Sequence, residues 1–227
     1  MLLVLTGSSC SGKSTLAFAV ADRLHRVAVH DFDEVGVPAG ADRGWRNRTT
    51  ELWVRRALEY QGRGIDLLLT GQSPLGEILA VPSAPLLDGI AVCLVDVAGE
   101  VRRARLATRD QGRWDAAAVD AFLGWAVWHR GHAHDPRHRP DVIIDGSWSG
   151  MVWDRWIGWA AGDPRWRTHL LDTTDQPVGR SVDQVEQWIT EQRAAHRSGR
   201  LPLTRGWSEA YEDRREHRDV DVEQVGS

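Results

Sequence analysis

Short apolar runs alternate with longer stretches of helical periodicity along most of the chain. The apolar runs predict five strands, at residues 2–6, 27–30, 65–70, 90–95 and 169–171. Helical patterns follow them at residues 14–24, 45–61, 99–109, 115–130 and 182–195. A further short helix is predicted after the third strand, with Ser73 as its N-cap and Pro74 at the first helical position. Strands that alternate with helices predict a parallel sheet with helices on both faces, which is a three-layer α/β fold.

The same pattern predicts one domain over residues 1–196, interrupted by an insertion at about 131–165 that is rich in His, Pro and Trp. Its tryptophans recur every three residues near Asp154 and Arg155, which favours a helix packed on the domain or against a second copy of the chain. A homodimer through this insertion is therefore a hypothesis, and so is a subdomain that covers the substrate. Residues 197–227 are predicted to be a polar appendage, either disordered or lying across the domain.

Composition and charge exclude several classes of protein. The 227 residues are 42% hydrophobic and 26% charged, as in ordinary globular proteins. A net charge of −4 with dispersed basic residues argues against a nucleic-acid partner. Two cysteines cannot form a disulfide framework, no signal peptide is apparent, and no apolar run approaches the roughly 18 residues of a membrane span. We expect a cytoplasmic protein with no membrane partner.

One glycine-rich segment carries specific chemistry. Residues 7–14 fit G-x-x-x-x-G-K-[ST] at every position, between a predicted strand and a predicted helix. Such glycines let backbone N–H groups converge on an anion, and the helix N-terminus adds its positive end. Lys13 would reach the β- and γ-phosphates, and Ser14 would offer its hydroxyl to Mg²⁺. The residues predicted to bind ATP here are Gly7, Ser8, Ser9, Cys10, Ser11, Gly12, Lys13, Ser14 and Thr15.

Composition strengthens this prediction. Of the 28 basic residues, Lys13 alone is lysine and all the others are arginine. A compact ammonium fits within a phosphate-binding loop, whereas a planar guanidinium is too large and too rigid. A chain that uses arginine elsewhere keeps lysine at the one position where the loop requires it.

Two carboxylates follow the second strand. Asp33 is predicted to accept the proton of a hydroxyl acceptor, and Asp31 to hold Mg²⁺ through water and to contact the substrate. The alternative is that both only cap a turn after the strand.

Arginines follow the fourth strand, with Arg102, Arg105 and Arg109 on one predicted helical face. Arg105 and Arg109 are predicted to close over the γ-phosphate as a lid, and the alternative is a solvated basic face. Thr173 and Thr174 follow the last strand and are predicted to contact the purine base, with turn formation as an equal alternative.

These motifs, in this order, resemble the P-loop small-molecule kinases, the group that includes nucleotide, shikimate, gluconate and chloramphenicol phosphotransferases. The local resemblance is strongest to chloramphenicol phosphotransferase, through Gly7-Ser8-Ser9, through Asp33 as the catalytic aspartate, and through Arg105 and Arg109 as lid arginines four apart. The D-x-D at residues 31–33 is similar to that of shikimate kinases. The resemblance covers residues 1–130 and 166–195, and it implies a P-loop NTPase fold with ATP and Mg²⁺ as cofactors.

Besides the insertion at about 131–165, which has no obvious counterpart in the family, the chain departs from this pattern in two places. The third strand ends Leu69-Thr70-Gly71-Gln72, without the usual second carboxylate. Glu34 stands where polynucleotide kinases and adenylylsulfate kinases typically have arginine, which disfavours both readings. Trp45, Arg48 and Gln72 are predicted to contact the acceptor. A transition-metal site at His129, His132, His134 and His138 is a minor hypothesis, since no cysteine or carboxylate cluster completes it.

The sequence thus predicts a kinase that phosphorylates a hydroxyl of a small molecule, such as an antibiotic, a nucleoside or a sugar-like compound. One alternative is a nucleoside, nucleotide or polynucleotide 5′-kinase. Another is a non-catalytic nucleotide sensor that binds a protein partner.

Overall fold

A five-stranded parallel sheet forms the centre of the molecule. The computed structural model describes residues 1–209, apart from the side chain at position 110. The strands are β1 (Leu2–Thr6), β2 (Val27–Asp31), β3 (Asp66–Gly71), β4 (Ile90–Asp96) and β5 (Thr168–Asp172). All neighbours pair in parallel in the order β2-β3-β1-β4-β5. The chain changes direction across the sheet at β1, so a crevice opens at the carboxyl ends of β1 and β4.

Seven helices complete the described fold. They are α1 (Lys13–Ala21), α2 (Arg43–Gly62), α3 (Leu75–Ala80), α4 (Gly99–Asp110), α5 (Ala116–His134), α6 (Asp141–Ile144) and α7 (Val178–Arg197). None of these helices is both long enough and apolar enough to cross a membrane. The five strands and the helices predicted outside the insertion are present, with ends that differ by at most four residues.

Alternation along the strands explains the two cores. Leu3 and Leu5 face α1 and α7, where they pack with Trp188. Leu2 and Val4 point the other way, toward α2, α3 and the insertion, where Trp53 and Trp156 are fully buried. Since successive residues of a strand face opposite sides, the continuous apolar runs supply both layers at once. The predicted three-layer α/β fold is confirmed.

The insertion corrects one local prediction. Only a 3₁₀ turn, Trp153–Arg155, forms where the tryptophan spacing predicts a helix. Arg155 instead points inward and donates to the carbonyl of Val81 at 2.7 Å, just beyond the end of α3. Trp156 packs beside it and donates its indole N–H to Gly76 at 2.9 Å. The requirement to satisfy these carbonyls outweighs helical periodicity, and the tryptophans pack on the domain.

Two further segments differ from or extend the predictions. Helix α3 has Pro74, not Ser73, as its N-cap, and the Ser73 hydroxyl lies 3.2 Å from that of Thr50. Beyond α7 the chain lies across the domain, with Thr204 bridging to Gly89 and Trp207 buried. The rest of the predicted appendage, residues 210–227, falls outside the described residues.

Candidate functional site

The glycine-rich loop between β1 and α1 has the backbone geometry of an anion cradle. Gly7 adopts φ +153°, and a Cβ there would lie 2.3 Å from the carbonyl oxygen of Val95, so only glycine fits. Gly12, at φ +97°, is the N-cap of α1 and turns the chain into the helix. The predicted loop therefore ends on a helix N-terminus, as anion binding requires.

Two side chains fix this loop to the rest of the fold. Arg102 is fully buried and donates to the Ser9 carbonyl at 2.5 Å and to the Asp96 carboxylate at 2.6 Å. The Ser8 hydroxyl donates to the carbonyl of Phe122 on α5 at 2.8 Å. Arg130 on α5 pairs with the second oxygen of Asp96. The loop is thus held by β4, α4 and α5 together.

Lys13 lies among opposing charges at the start of α1. Burial lowers the pKa of its ammonium, the carboxylates of Asp31 and Asp33 oppose that shift, and Arg102 and Arg109 add to it. Both predicted carboxylates and one lid arginine therefore act electrostatically on the same ammonium group.

Asp31 and Ser14 offer oxygen atoms to a cation at one point. The Ser14 hydroxyl donates to Asp31 Oδ2 at 2.7 Å. Hard oxygen ligands of this kind suit Mg²⁺, which keeps several waters and binds substrate phosphates besides one or two protein groups. Of the acids near the loop, Asp96 is already bound by two arginines, so Asp31 is the one that fits this role. Within residues 1–209 no group of three or more His, Cys, Asp or Glu side chains could hold a metal by itself.

Asp33 stands two residues further on, in a 3₁₀ turn. The turn is built by a capping box, in which Asp31 Oδ1 accepts the Asp33 amide at 3.0 Å and Glu34 Oε1 accepts the Asp31 amide at 2.8 Å. Partial burial and the charge of Asp31 raise the pKa of Asp33, and Lys13 opposes this. The capping alternative holds for Asp31, whereas the Asp33 carboxylate takes no part in the capping box and interacts electrostatically with Lys13.

A cavity of about 680 Å³ extends from the loop between α4 and the start of α7. Arg105 and Arg109 lie on its wall, and Arg105 donates to the carbonyl of Cys10 at 3.3 Å. Arg103, on the outer face of α4, pairs instead with Asp120. The face of α4 predicted from the arginine spacing is therefore the face that lies toward the phosphate loop.

The two threonines after β5 have different positions. Thr173 lines the cavity and its hydroxyl lies 3.0 Å from the carbonyl of Asp96, to which it donates. The Thr174 hydroxyl accepts a hydrogen bond from the Ala98 amide at 2.9 Å. Thr174 therefore stabilises the turn, which is the alternative to a contact with the purine base. Gln176 and Val178 also line the cavity, and nothing in the sequence motifs marks them.

Comparison with known proteins identifies the fold. No protein-family model and no curated protein sequence matches the chain. A solved structure of a sugar kinase from Janibacter sp. HTCC2649 is similar, with a TM-score of 0.51 and 17% identity over 83% of this chain and 94% of that one. The structure of a protein named APE1195 is also similar, with a TM-score of 0.52 and 17% identity over 84% of this chain and 95% of that one. The chain shares the fold of these structures, in which a parallel sheet lies between layers of helices.

The sequence predicts that the second substrate binds in the crevice beyond the carboxyl ends of β2 and β3. Of the three residues predicted there, Trp45 is half-buried with its ring edge-on to Phe32 at 6.0 Å, and Gln72 is half-buried just after β3. Arg48 is exposed on α2 and its guanidinium lies over Gly44. Among residues 1–209, no hydrogen bond or ring contact joins these three side chains to one another.

A different set of side chains does converge on this side, namely Arg46, Glu77, Trp125 and His129. Arg46 pairs with the fully buried Glu77 and stacks over Trp125. Burial raises the pKa of Glu77, and the guanidinium of Arg46, the charge of Arg43 and the hydroxyl of Ser73 oppose that rise. A sequence signal exists for Glu77, the one charged residue in the apolar run Leu75–Ala80, but the other three come from distant helices.

Proposed function

We propose that this protein is an ATP- and Mg²⁺-dependent kinase that phosphorylates a hydroxyl group of a small molecule. The observation that carries the proposal is the contact of 2.7 Å between Ser14 and Asp31 at the phosphate loop, with Asp33 presented beside it. The P-loop kinase fold is consistent with this chemistry, and so is the cavity that adjoins the loop.

The chain's own groups would divide the reaction between them. The loop amides and Lys13 would hold the β- and γ-phosphates, and Asp33 would accept the proton of the attacking hydroxyl. The acceptor oxygen would bond to the γ-phosphorus as the bond to the bridging oxygen breaks, which releases ADP. Arg105 and Arg109 would face the charge on the transferring group. Bound Mg²⁺, held at Ser14 and Asp31, would neutralise phosphate charge.

The first prediction concerns Asp33. We expect Asp33→Asn to lower phosphoryl transfer by about a hundredfold or more, because asparagine cannot accept the proton. ATP affinity should be nearly unchanged, since the loop is intact. The measurement is ATP turnover with a panel of alcohols, sugars, nucleosides and antibiotics, followed by mass detection of the phosphorylated acceptor.

Each outcome of that panel has a distinct meaning. Full activity of Asp33→Asn would contradict the role of Asp33. Preference for a nucleoside or a nucleic-acid 5′ end would favour the corresponding kinases. Tight ATP binding without stimulation by any acceptor would favour the nucleotide sensor and would refute the proposed function.

The second prediction separates the two faces of α4. We expect Arg105→Ala to lower kcat about tenfold to a hundredfold, because its guanidinium lies at the loop where charge develops. Arg103→Ala is the matched control, since Arg103 lies on the same helix but pairs with the exposed Asp120. Its kcat should stay within about twofold of the native value, as expected for a surface ion pair. Equal losses in the two variants would mean that α4 acts only through its overall charge.

A further inference from the structure

Four polar side chains from three helices meet on the acceptor side, and we call them the polar recess: Arg46 on α2, Glu77 on α3, and Trp125 and His129 on α5. Arg46 Nη2 donates to Glu77 Oε1. The Arg46 guanidinium carbon lies 4.8 Å from the centre of the Trp125 ring, and that ring is T-shaped to His129 at 6.0 Å. These contacts join the four side chains into one group.

The polar recess adjoins the phosphate loop. Ser8 of the loop bonds to Phe122, and Trp125 follows three residues later, on the same side of α5. His129 lies one further turn along and is 1% exposed. Burial lowers the pKa of His129 to about 3, and the charges of Arg46 and Lys13 contribute to this. The recess is therefore close enough to Lys13 for the lysine charge to act on His129. With so low a pKa, His129 is uncharged at neutral pH.

Each member of the polar recess has a buried atom that lacks a protein partner. In the part of the chain that the structure describes, Arg46 Nε, Glu77 Oε2, Trp125 Nε1 and His129 Nδ1 are buried and make no hydrogen bond within the protein. Buried polar atoms are nearly always paired, and a carboxylate oxygen is among the costliest to leave unpaired. Four such atoms in one contact group point to a ligand that pairs with them.

Resting on the proposed kinase function, we infer that the polar recess binds the phosphoryl acceptor and selects a neutral, hydroxyl-bearing molecule over an anionic one. Glu77 Oε2 can only accept a hydrogen bond, whereas Arg46 Nε and Trp125 Nε1 can only donate one. A hydroxyl does both, so a compound with several hydroxyls satisfies all three atoms. An ionised carboxylate, or a phosphate in its dianionic form, has no proton to offer Glu77 Oε2 and is repelled by its charge.

The charge balance leads to the same selection. The charges of Arg46 and Glu77 cancel within their ion pair. Arg43 is a further charge that acts on Glu77, but its guanidinium donates to the carbonyl of Asp145 in the insertion. Each of the two guanidinium groups therefore already has an oxygen partner, and neither presents a wholly free fork to an acid, which is the usual means of binding carboxylate and phosphate.

The test changes the charge of the recess without changing its shape. Glu77→Gln leaves Arg46 uncompensated, and we expect the preference between glucose and gluconate, and between ribose and ribose 5-phosphate, to shift toward the anion by about tenfold or more. Binding is followed in the presence of a non-hydrolysable ATP analogue by the indole N–H resonance of Trp125, identified with Trp125→Phe. The native protein should show a shift with the neutral sugars and little change with their anionic counterparts.

Glu51→Gln is the matched control, because Glu51 is also buried and paired with an arginine, Arg55, but bonds to Ser83 away from the recess. It should leave the preference unchanged. If Glu77→Gln does not fold, as judged by circular dichroism, the double variant Arg46→Gln with Glu77→Gln is neutral again and should keep the native preference. The inference fails if the anions bind the native protein as well as the neutral sugars, or if no compound shifts the resonance.

Failure of the proposed function gives a separate result. In that case the native protein transfers phosphate to no acceptor in the turnover panel, whatever binds in the recess. Transfer to an anionic acceptor would instead uphold the kinase and overturn the selection by the recess.

Discussion

Replacing Lys13 by arginine is expected to lower phosphoryl transfer by about a thousandfold, although the charge is conserved. The reason is the size of the site. Lys13 begins α1 directly after Gly12, whose φ of +97° turns the loop back on itself, and the ammonium lies among Asp31, Asp33 and Arg102. A planar guanidinium needs more room than the loop leaves and cannot point a single donor at the phosphates.

The experiment compares Lys13→Arg with Lys13→Met, which fits the space but removes the charge. We expect both to remain folded, with the native helical signal by circular dichroism, and both to lose ATP affinity and turnover. Turnover of Lys13→Arg within tenfold of the native value would show that the loop tolerates arginine. The single lysine would then carry no information about the site.

The sequence predicts most of the fold because its signals are local. Continuous apolar runs such as that of β3 define buried strands, and the loop motif is contiguous, so its strand, glycines and helix N-terminus are fixed together. The pairing of Ser14 with Asp31 also follows from topology, since β1 and β2 end at the same edge of the sheet.

The acceptor side could not be predicted in the same way. Arg46, Glu77 and Trp125 lie on three helices and come together only through tertiary packing. Arg48, predicted to contact the acceptor, is exposed on α2, whereas Arg46 packs against Glu77, and the sequence does not show which of these two arginines packs inward. The helix predicted in the insertion is wrong for a similar reason, since Arg155 donates a hydrogen bond to the carbonyl of Val81, which is distant in sequence.

Acid should destabilise this protein well before its carboxylates titrate, because two buried histidines must remain neutral in the folded state. Burial lowers the pKa of His129 to about 3 and that of His132 to about 4. Two neighbouring groups also act on the pKa of His132, which the charge of His138 lowers and that of Asp135 raises. The ring of His132 stacks on that of Trp128, with 4.8 Å between the ring centres. In the unfolded chain a histidine has a pKa of about 6.5.

The sign follows from proton linkage. Below pH 6.5 the unfolded state binds more protons than the folded state, so the free energy of unfolding falls as the pH falls toward the folded pKa values. At pH 5 each histidine contributes a loss of about 2 kcal/mol relative to pH 7 and above, or about 4 kcal/mol together. That is a large fraction of the total stability of a typical domain.

Urea unfolding at pH 7 and pH 5 measures this loss. His132→Gln removes one of the two groups, so the difference between the two pH values should shrink by about 2 kcal/mol. The difference is the informative quantity, because it is insensitive to any general destabilisation by the substitution. His134→Gln, at an exposed position on the same helix, should leave the difference unchanged. An unaltered difference in His132→Gln would mean that His132 takes up its proton at the same pH in the folded protein as in the unfolded chain, and would contradict the prediction.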